Sequence, residues 1–139
     1  MRIAILGTGK MGIWFAKFCK KESDTVILAG RSAEKLAKLK DELQIETTTD
    51  FQEAVQNADI ILICTSISSF EDIVKKIAPV THKGQVIMDI CSIKEHPVNI
   101  MHQYIKTATV LGTHPVFGPG SNGVNHKAYV LTPTNSQEE

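Results

Sequence analysis

Six residues near the start of the chain restrict its fold more than any others: Gly7-Thr8-Gly9-Lys10-Met11-Gly12. Before them, Arg2 to Leu6 is a compact apolar run, as a short strand is. After them, Lys10 to Lys21 carries Met11, Trp14, Phe15 and Phe18 at helical spacing. Glycines at the first, third and sixth places of a strand-to-helix turn form the dinucleotide-binding pattern when the turn lies inside a βαβ unit. Gly7 permits the tight turn, Gly9 lets backbone approach a pyrophosphate, and Gly12 lets the helix pack close to the strand. The first amides of the helix and its dipole then face the phosphates. Thr8, Lys10 and Met11 complete the expected cofactor-contacting turn.

The rest of the chain repeats this alternation. A second strand is expected over Thr25 to Ala29. A helix follows over Ser32 to Leu43, capped by Ser32 and striped by Leu36, Leu39 and Leu43. A weak strand lies near Ile45 to Thr48, and Asp50 can cap a short helix over Phe51 to Asn57 with Glu53 in capping-box position. Ile60 to Cys64 is a continuous, mostly β-branched run, the signature of a strand covered on both faces. Ser69 to Ile77 reads as a helix stopped by Pro79, and Gln85 to Ile90 as another buried strand. Pro97 suits the first turn of a helix reaching about Ile105. Thr109 to Gly112 reads as a strand, Thr113 to Lys127 as a loop rich in Gly, Pro and Asn, and Ala128 to Thr132 as a last strand. The expectation is an α/β, doubly wound, mainly parallel sheet of order 3-2-1-4-5-6 with helices on both faces. The domain is expected to span residues 1–134. Residues 135–139 form a polar tail, read as the start of a further domain.

At 139 residues the chain has room for one sizeable core. Fifteen Lys and Arg balance fifteen Asp and Glu, so no bulk charge points to nucleic acid or a membrane surface. The apolar runs are too short to cross a bilayer, and the N-terminus does not read as a signal peptide. Cys19, Cys64 and Cys91 are odd in number and have neither disulfide-framework nor zinc spacing. They are expected to be reduced cysteines in a cytoplasmic protein without a metal.

The end of the second strand selects between cofactors. NAD-binding turns usually place Asp or Glu there for the ribose 2′-hydroxyl. This chain has Gly30-Arg31-Ser32, while Asp24 precedes the strand and Glu34 lies inside the next helix. Arg31 offers a rigid fork to a 2′-phosphate, and Ser32 offers a hydroxyl and an amide at a helix start. NADP is therefore expected in preference to NAD.

Ligands of doubly wound sheets sit outside the carboxyl ends of the strands. Three further segments end there: Cys64-Thr65-Ser66, expected beside the nicotinamide ribose; Asp89-Ile90-Cys91-Ser92-Ile93-Lys94; and Gly112-Thr113-His114-Pro115-Val116-Phe117-Gly118-Pro119-Gly120. An imidazole ordinarily titrates near neutrality, which suits proton transfer, so His114 is the natural general base. Ser92 can orient a substrate hydroxyl or the histidine, and Lys94 can hold a substrate carboxylate. Asp89 reads as a buried hydrogen-bonding group.

Taken together, the opening glycine turn, the Asp89 to Lys94 stretch with its Ser-x-Lys, and above all Thr113-His114-Pro115-Val116-Phe117-Gly118-Pro119 resemble the prephenate dehydrogenase family of tyrosine biosynthesis. Ser92 and His114 stand 22 residues apart, as that pattern wants. The resemblance implies that His114 takes the proton of the substrate's ring hydroxyl while Ser92 helps position it. Hydride then leaves the same carbon, and carbon dioxide is lost. It further implies prephenate or arogenate as substrate, a C-terminal helical domain that dimerises the protein, and substrate-carboxylate arginines supplied by that domain. Here the only arginines are Arg2 and Arg31, so weak or absent turnover is expected of these residues alone. Two other readings are a different two-domain NADP oxidoreductase, such as a hydroxyacid dehydrogenase or imine reductase, and a non-catalytic NADP-binding or redox-sensing module. The histidine segment counts against the first, and the presence of both Ser92 and His114, which a sensor does not need, counts against the second.

Overall fold

The computed structural model of the chain describes residues 1–22, 25–136 and 138. Asp24, Gln137 and Glu139 lie outside the described residues. The elements run β1 (Arg2–Leu6), α1 (Lys10–Lys21), β2 (Thr25–Ala29), α2 (Ala33–Leu43), β3 (Glu46–Thr48), α3 (Phe51–Gln56), β4 (Ile60–Ile63), α4 (Ile67–Ile77), a 3₁₀ turn (Ala78–Val80), β5 (Val86–Asp89), α5 (Glu95–Tyr104), β6 (Thr109–Pro115) and β7 (Tyr129–Thr132).

One sheet of order β3-β2-β1-β4-β5-β6-β7 joins the strands. Every pairing is parallel except β6 with β7. Strand side chains alternate between faces, so β1, β2 and β4 each contribute to two cores. Ala4, Leu6, Ile61 and Ile63 pack with Phe51, Phe70, Val74 and Met101 from α3, α4 and α5. Ile3, Ile5, Leu28 and Leu62 pack with Trp14, Phe15, Leu36 and Leu39 from α1 and α2. This two-sided covering explains why β1 and β4 read as unbroken apolar runs. Among the described residues, no helix is long and apolar enough to cross a membrane.

Beyond one-residue differences at strand ends, the structure departs from the sequence reading at α4, at the cap of α3 and at β6. α4 starts at Ile67, two residues earlier than expected, with Ser66 as N-cap. α5 spans Glu95–Tyr104 and agrees with the reading: Pro97 falls within its first turn, where a missing N–H leaves no helical bond unmade. Asp50 caps α3 through Gln52 and Glu53, but the reciprocal half of the capping box does not form. Thr48 Oγ1 instead accepts the Asp50 amide at 3.0 Å and donates to the Glu53 carboxylate. The largest difference is at β6, which continues through Thr113, His114 and Pro115 rather than ending at Gly112. β7 returns antiparallel and pairs Gly112 to Pro115 with Thr132 to Tyr129. A chain rich in turn residues is held as strand there because the returning partner supplies its hydrogen bonds.

The segment after β6 is tied down by aromatic side chains. Trp14 stacks on Phe18 at 5.3 Å between centroids and lies 5.0 Å from Phe117. Its indole N–H donates to the Ser121 carbonyl at 2.8 Å. Trp14→Phe keeps the ring stacking and removes one hydrogen bond, so we expect a stability loss of about 0.5–1.5 kcal/mol in denaturant titration.

Candidate functional site

The sheet registers place the carboxyl ends of four strands in one row. Ala29 pairs with Leu6, Leu6 with Ile63, and Ile63 with Asp89. The residues that follow each of these (Gly7, Gly30, Cys64 and the turn to Ser92) therefore emerge on one edge of the molecule. Met88 pairs with Leu111, so Gly112 continues the row and His114 extends beyond it. At about 4.8 Å per strand, β6 stands roughly 14 Å from β1, a span suited to an extended dinucleotide.

At β1, the turn has the geometry that the glycines imply. Gly7 has φ +121°, a conformation L side chains rarely adopt, and its amide donates to the Ala29 carbonyl at 2.8 Å. A Cβ at Gly12 would stand 2.1 Å from the Gly7 carbonyl oxygen, so only glycine allows α1 to sit this close to the strand end. Gly9 differs from both: a Cβ there would meet nothing within 4 Å. Packing does not require glycine at that position, whereas close approach of a ligand to the backbone does. The first helical bond of α1 runs from the Ile13 amide to the Gly9 carbonyl at 3.0 Å. The amides of Lys10, Met11 and Gly12 precede it and have no intrahelical acceptor. No acidic residue occupies this first turn.

A cleft of about 290 Å³ opens beside the turn. Gly7, Thr8 and Gly9 form one wall, Gly30 and Arg31 the second, and Cys64, Thr65 and Ser66 the third. Seven of the expected cofactor residues are thus brought together. Lys10, Met11 and Gly12 form the helix start instead of lining the cleft. Ser32 also lies outside the lining, where its Oγ accepts from the Lys35 amide at 3.2 Å as the cap of α2.

Lys35 joins the site although no motif marks it. It lines the cleft, and its Nζ donates to the Thr8 carbonyl at 2.6 Å. The only sequence signal for it is its place in the first turn of α2, since helical side chains lean back toward the N-terminus. Arg31 and Lys35 together place two exposed cations at the β2 end of the cleft. On the third wall, Thr65 Oγ1 is buried with no hydrogen-bond partner among the described residues. Burial pushes the Cys64 thiol far above its ordinary pKa, so it stays protonated and contributes shape and not charge. The Cys91 thiol is pushed up to about 11 by burial and by the neighbouring Asp89.

At the β5 and β6 ends, Ser92 is exposed and His114 is half-buried. His114 Nδ1 is enclosed with no hydrogen-bond partner among the described residues. No hydrogen bond joins it to Ser92 among the described residues. Lys94 is not placed as an open cation. Its ammonium pairs with the buried Asp89 carboxylate and also donates to the Thr113 carbonyl. The expectation that it holds a substrate carboxylate therefore meets a competing internal partner. Arg2 lies at the opposite end of the sheet, bonded to Glu46 at 2.6 and 3.2 Å. Among the described residues, no group of three His, Cys, Asp or Glu side chains is placed to hold a metal ion.

Comparison with known proteins adds to this geometry. The family profile for "Prephenate dehydrogenase, nucleotide-binding domain" matches residues 15–139, which begins beyond the glycine turn. A probable arogenate/prephenate dehydrogenase of Methanocaldococcus jannaschii is 37% identical over 136 residues, covering 96% of this chain but 30% of that protein. Among solved structures, prephenate dehydrogenase of Aquifex aeolicus, in complex with hydroxyphenyl propionate and NAD+, superposes with TM-score 0.82 at 22% identity. That superposition covers 99% of this chain and 53% of that one. An imine reductase from Pseudomonas sp. superposes equally well, with TM-score 0.85 at 19% identity, covering 99% of this chain and 48% of that one. The fold is thus shared beyond one chemistry.

Proposed function

The chain belongs to the prephenate dehydrogenase family, and from that premise we propose that it is the dinucleotide-binding part of an NADP-dependent enzyme that oxidatively decarboxylates prephenate or arogenate. The observation that carries the reading is the shared edge: the glycine turn and the His114 strand end on the same side of one sheet. The chain spans 30% of the length of the Methanocaldococcus jannaschii relative, so the activity of a whole protein is part of the proposal.

The residues present fit a pyridine dinucleotide. Backbone at Gly9 is open to approach, the first amides of α1 lack helical acceptors, and buried Thr65 Oγ1 has no partner among the described residues. The α1 amides would hold the pyrophosphate, and Arg31 with Lys35 the 2′-phosphate of the adenosine ribose. β2 ends at Ala29, and Gly30, Arg31 and Ser32 follow it, so no carboxylate there would repel that phosphate. When bound, the dinucleotide supplies the hydride acceptor. Proton chemistry belongs to the chain itself. His114 would accept the hydrogen bond of the ring hydroxyl and then its proton, with Ser92 orienting that hydroxyl. Departure of the proton and hydride converts the alcohol carbon to a carbonyl, and loss of carbon dioxide gives the aromatic ring. Arg2 is too far away to assist, so the substrate carboxylates would be held from beyond these residues by a helical, dimer-forming domain. We place the protein in the cytoplasm.

The reaction is tested by following NADP reduction with prephenate and with arogenate in a family-length protein carrying this domain. Reduction by either acid supports the reading. A protein that binds NADP and reduces none with either acid contradicts it. The cofactor is tested on the chain itself by calorimetric titration. We expect NADP to bind more tightly than NAD by tenfold or more, about 1.4 kcal/mol. Arg31→Ala should erase most of the difference, and equal affinity in the unaltered chain would remove the 2′-phosphate argument.

A further inference from the structure

Asp89 is the last residue of β5, fully buried, and it carries a network that the proposed chemistry does not use. One carboxylate oxygen accepts the Cys91 amide at 2.9 Å and the Lys94 ammonium. The other accepts the Thr113 amide at 3.1 Å. The Asp89 carbonyl accepts the Thr113 hydroxyl, and Lys94 also donates to the Thr113 carbonyl. Tyr129 Oη stands 3.1 Å from Thr113 Oγ1. The Thr113 hydroxyl already donates to Asp89, so the phenol is the donor in this contact. Burial raises the Tyr129 pKa, which keeps that proton in place.

The network lies where the β5–β6 ladder stops. The last paired residues are Met88 and Leu111. Beyond them β5 turns away toward Ser92, while β6 continues through Thr113 to His114. Two backbone amides that the ladder no longer serves are taken by one side chain. One belongs to the turn leading to Ser92, and the other immediately precedes His114. Lys94 ties the start of α5 to both. A carboxylate is needed because all three donors converge on its two oxygens. Asparagine at this position would present a donor to one of them and leave the ammonium without a charge partner.

We infer that Asp89 and Lys94 act as positioning residues, a clamp that fixes the Ser92 turn against the His114 strand. Lys94 thereby serves this internal role in place of holding a substrate carboxylate. The inference rests on the reading of Ser92 and His114 as the reacting end of the site, but its first test is independent of that reading.

The first test is amide hydrogen exchange on the 139-residue chain. Asp89→Asn and, separately, Lys94→Met should speed exchange at Cys91 and Thr113 by tenfold or more. Ile61 and Leu62, at the centre of the sheet, should stay slow. If Asp89→Asn does not fold, Lys94→Met alone carries the test. Unchanged exchange at both amides in a folded variant overturns the clamp. The second test uses the family-length protein. There Lys94→Met should lower kcat tenfold or more, with the KM values for cofactor and substrate within about twofold of the parent. A raised substrate KM with kcat preserved overturns the inference and returns Lys94 to the substrate. Absence of any dehydrogenase activity in the parent defeats the proposed function instead and leaves the exchange result to decide the clamp.

Discussion

His114→Asn in a family-length protein is expected to lower kcat by about 10²–10⁴-fold, the usual contribution of a positioned general base. Asparagine retains a hydrogen-bonding group of similar reach but cannot take a proton. KM for NADP should change little, because His114 lies outside the cleft proposed to receive the phosphates and adenosine. The fold should persist, since His114 is only half-buried and its Nδ1 makes no hydrogen bond among the described residues. The protein is therefore expected to bind cofactor normally while turning over slowly. Retention of full activity would place the base elsewhere on this edge.

The second large effect separates folding from binding within one motif. Gly12→Ala puts a Cβ 2.1 Å from the Gly7 carbonyl oxygen, so α1 must move off the strand or the turn must distort. Overpacking of this kind costs about 1–3 kcal/mol and here also displaces the amides that would face the phosphates. Stability and NADP affinity should fall together. Gly9→Ala meets nothing within 4 Å, and Gly9 already has extended backbone, φ −72° and ψ 177°, open to any residue. Its effect on stability should be at most about 1 kcal/mol, the scale of an N-cap exchange. Its effect on NADP binding should be tenfold or more, because the new methyl stands where the phosphates must approach. Calorimetry and thermal melting of the two variants check both halves. A Gly9→Ala chain that binds NADP like the parent would mean that the turn is structural only.

The strand–helix alternation was legible because the central strands β1, β2 and β4 are covered on both faces, which leaves clear apolar runs between the amphipathic helices. The order of the first six strands was expected from that alternation, but the antiparallel place of β7 beside β6 was not. The reach of β6 was not legible: Thr113 to Pro115 carry turn-forming neighbours, and only the returning β7, distant in sequence, makes them strand. Among the residues that line the cleft, the glycine turn, Arg31 and the Cys64 to Ser66 segment were marked by motif and position. Lys35 was not, because nothing local distinguishes it from the other lysines of α2. Lys94 shows the opposite limit. Its place after Ser92 suggested an open cation, whereas its charge is paired with Asp89, a contact that depends on how β5 and β6 end.

The central claim is that one dinucleotide lies along the strand ends, with its phosphates at the glycine turn and its reacting ring toward Ser92 and His114. A crystal structure of this chain with NADP+ tests it most directly. The account predicts the pyrophosphate on the amides after Gly9, the 2′-phosphate on Arg31 and Lys35, and the nicotinamide facing the His114 strand. The gap between ring and imidazole should be one that a substrate carbon can bridge at about 3–3.5 Å from each reacting group. A dinucleotide bound in the reverse direction, or seated away from the cleft, would contradict it.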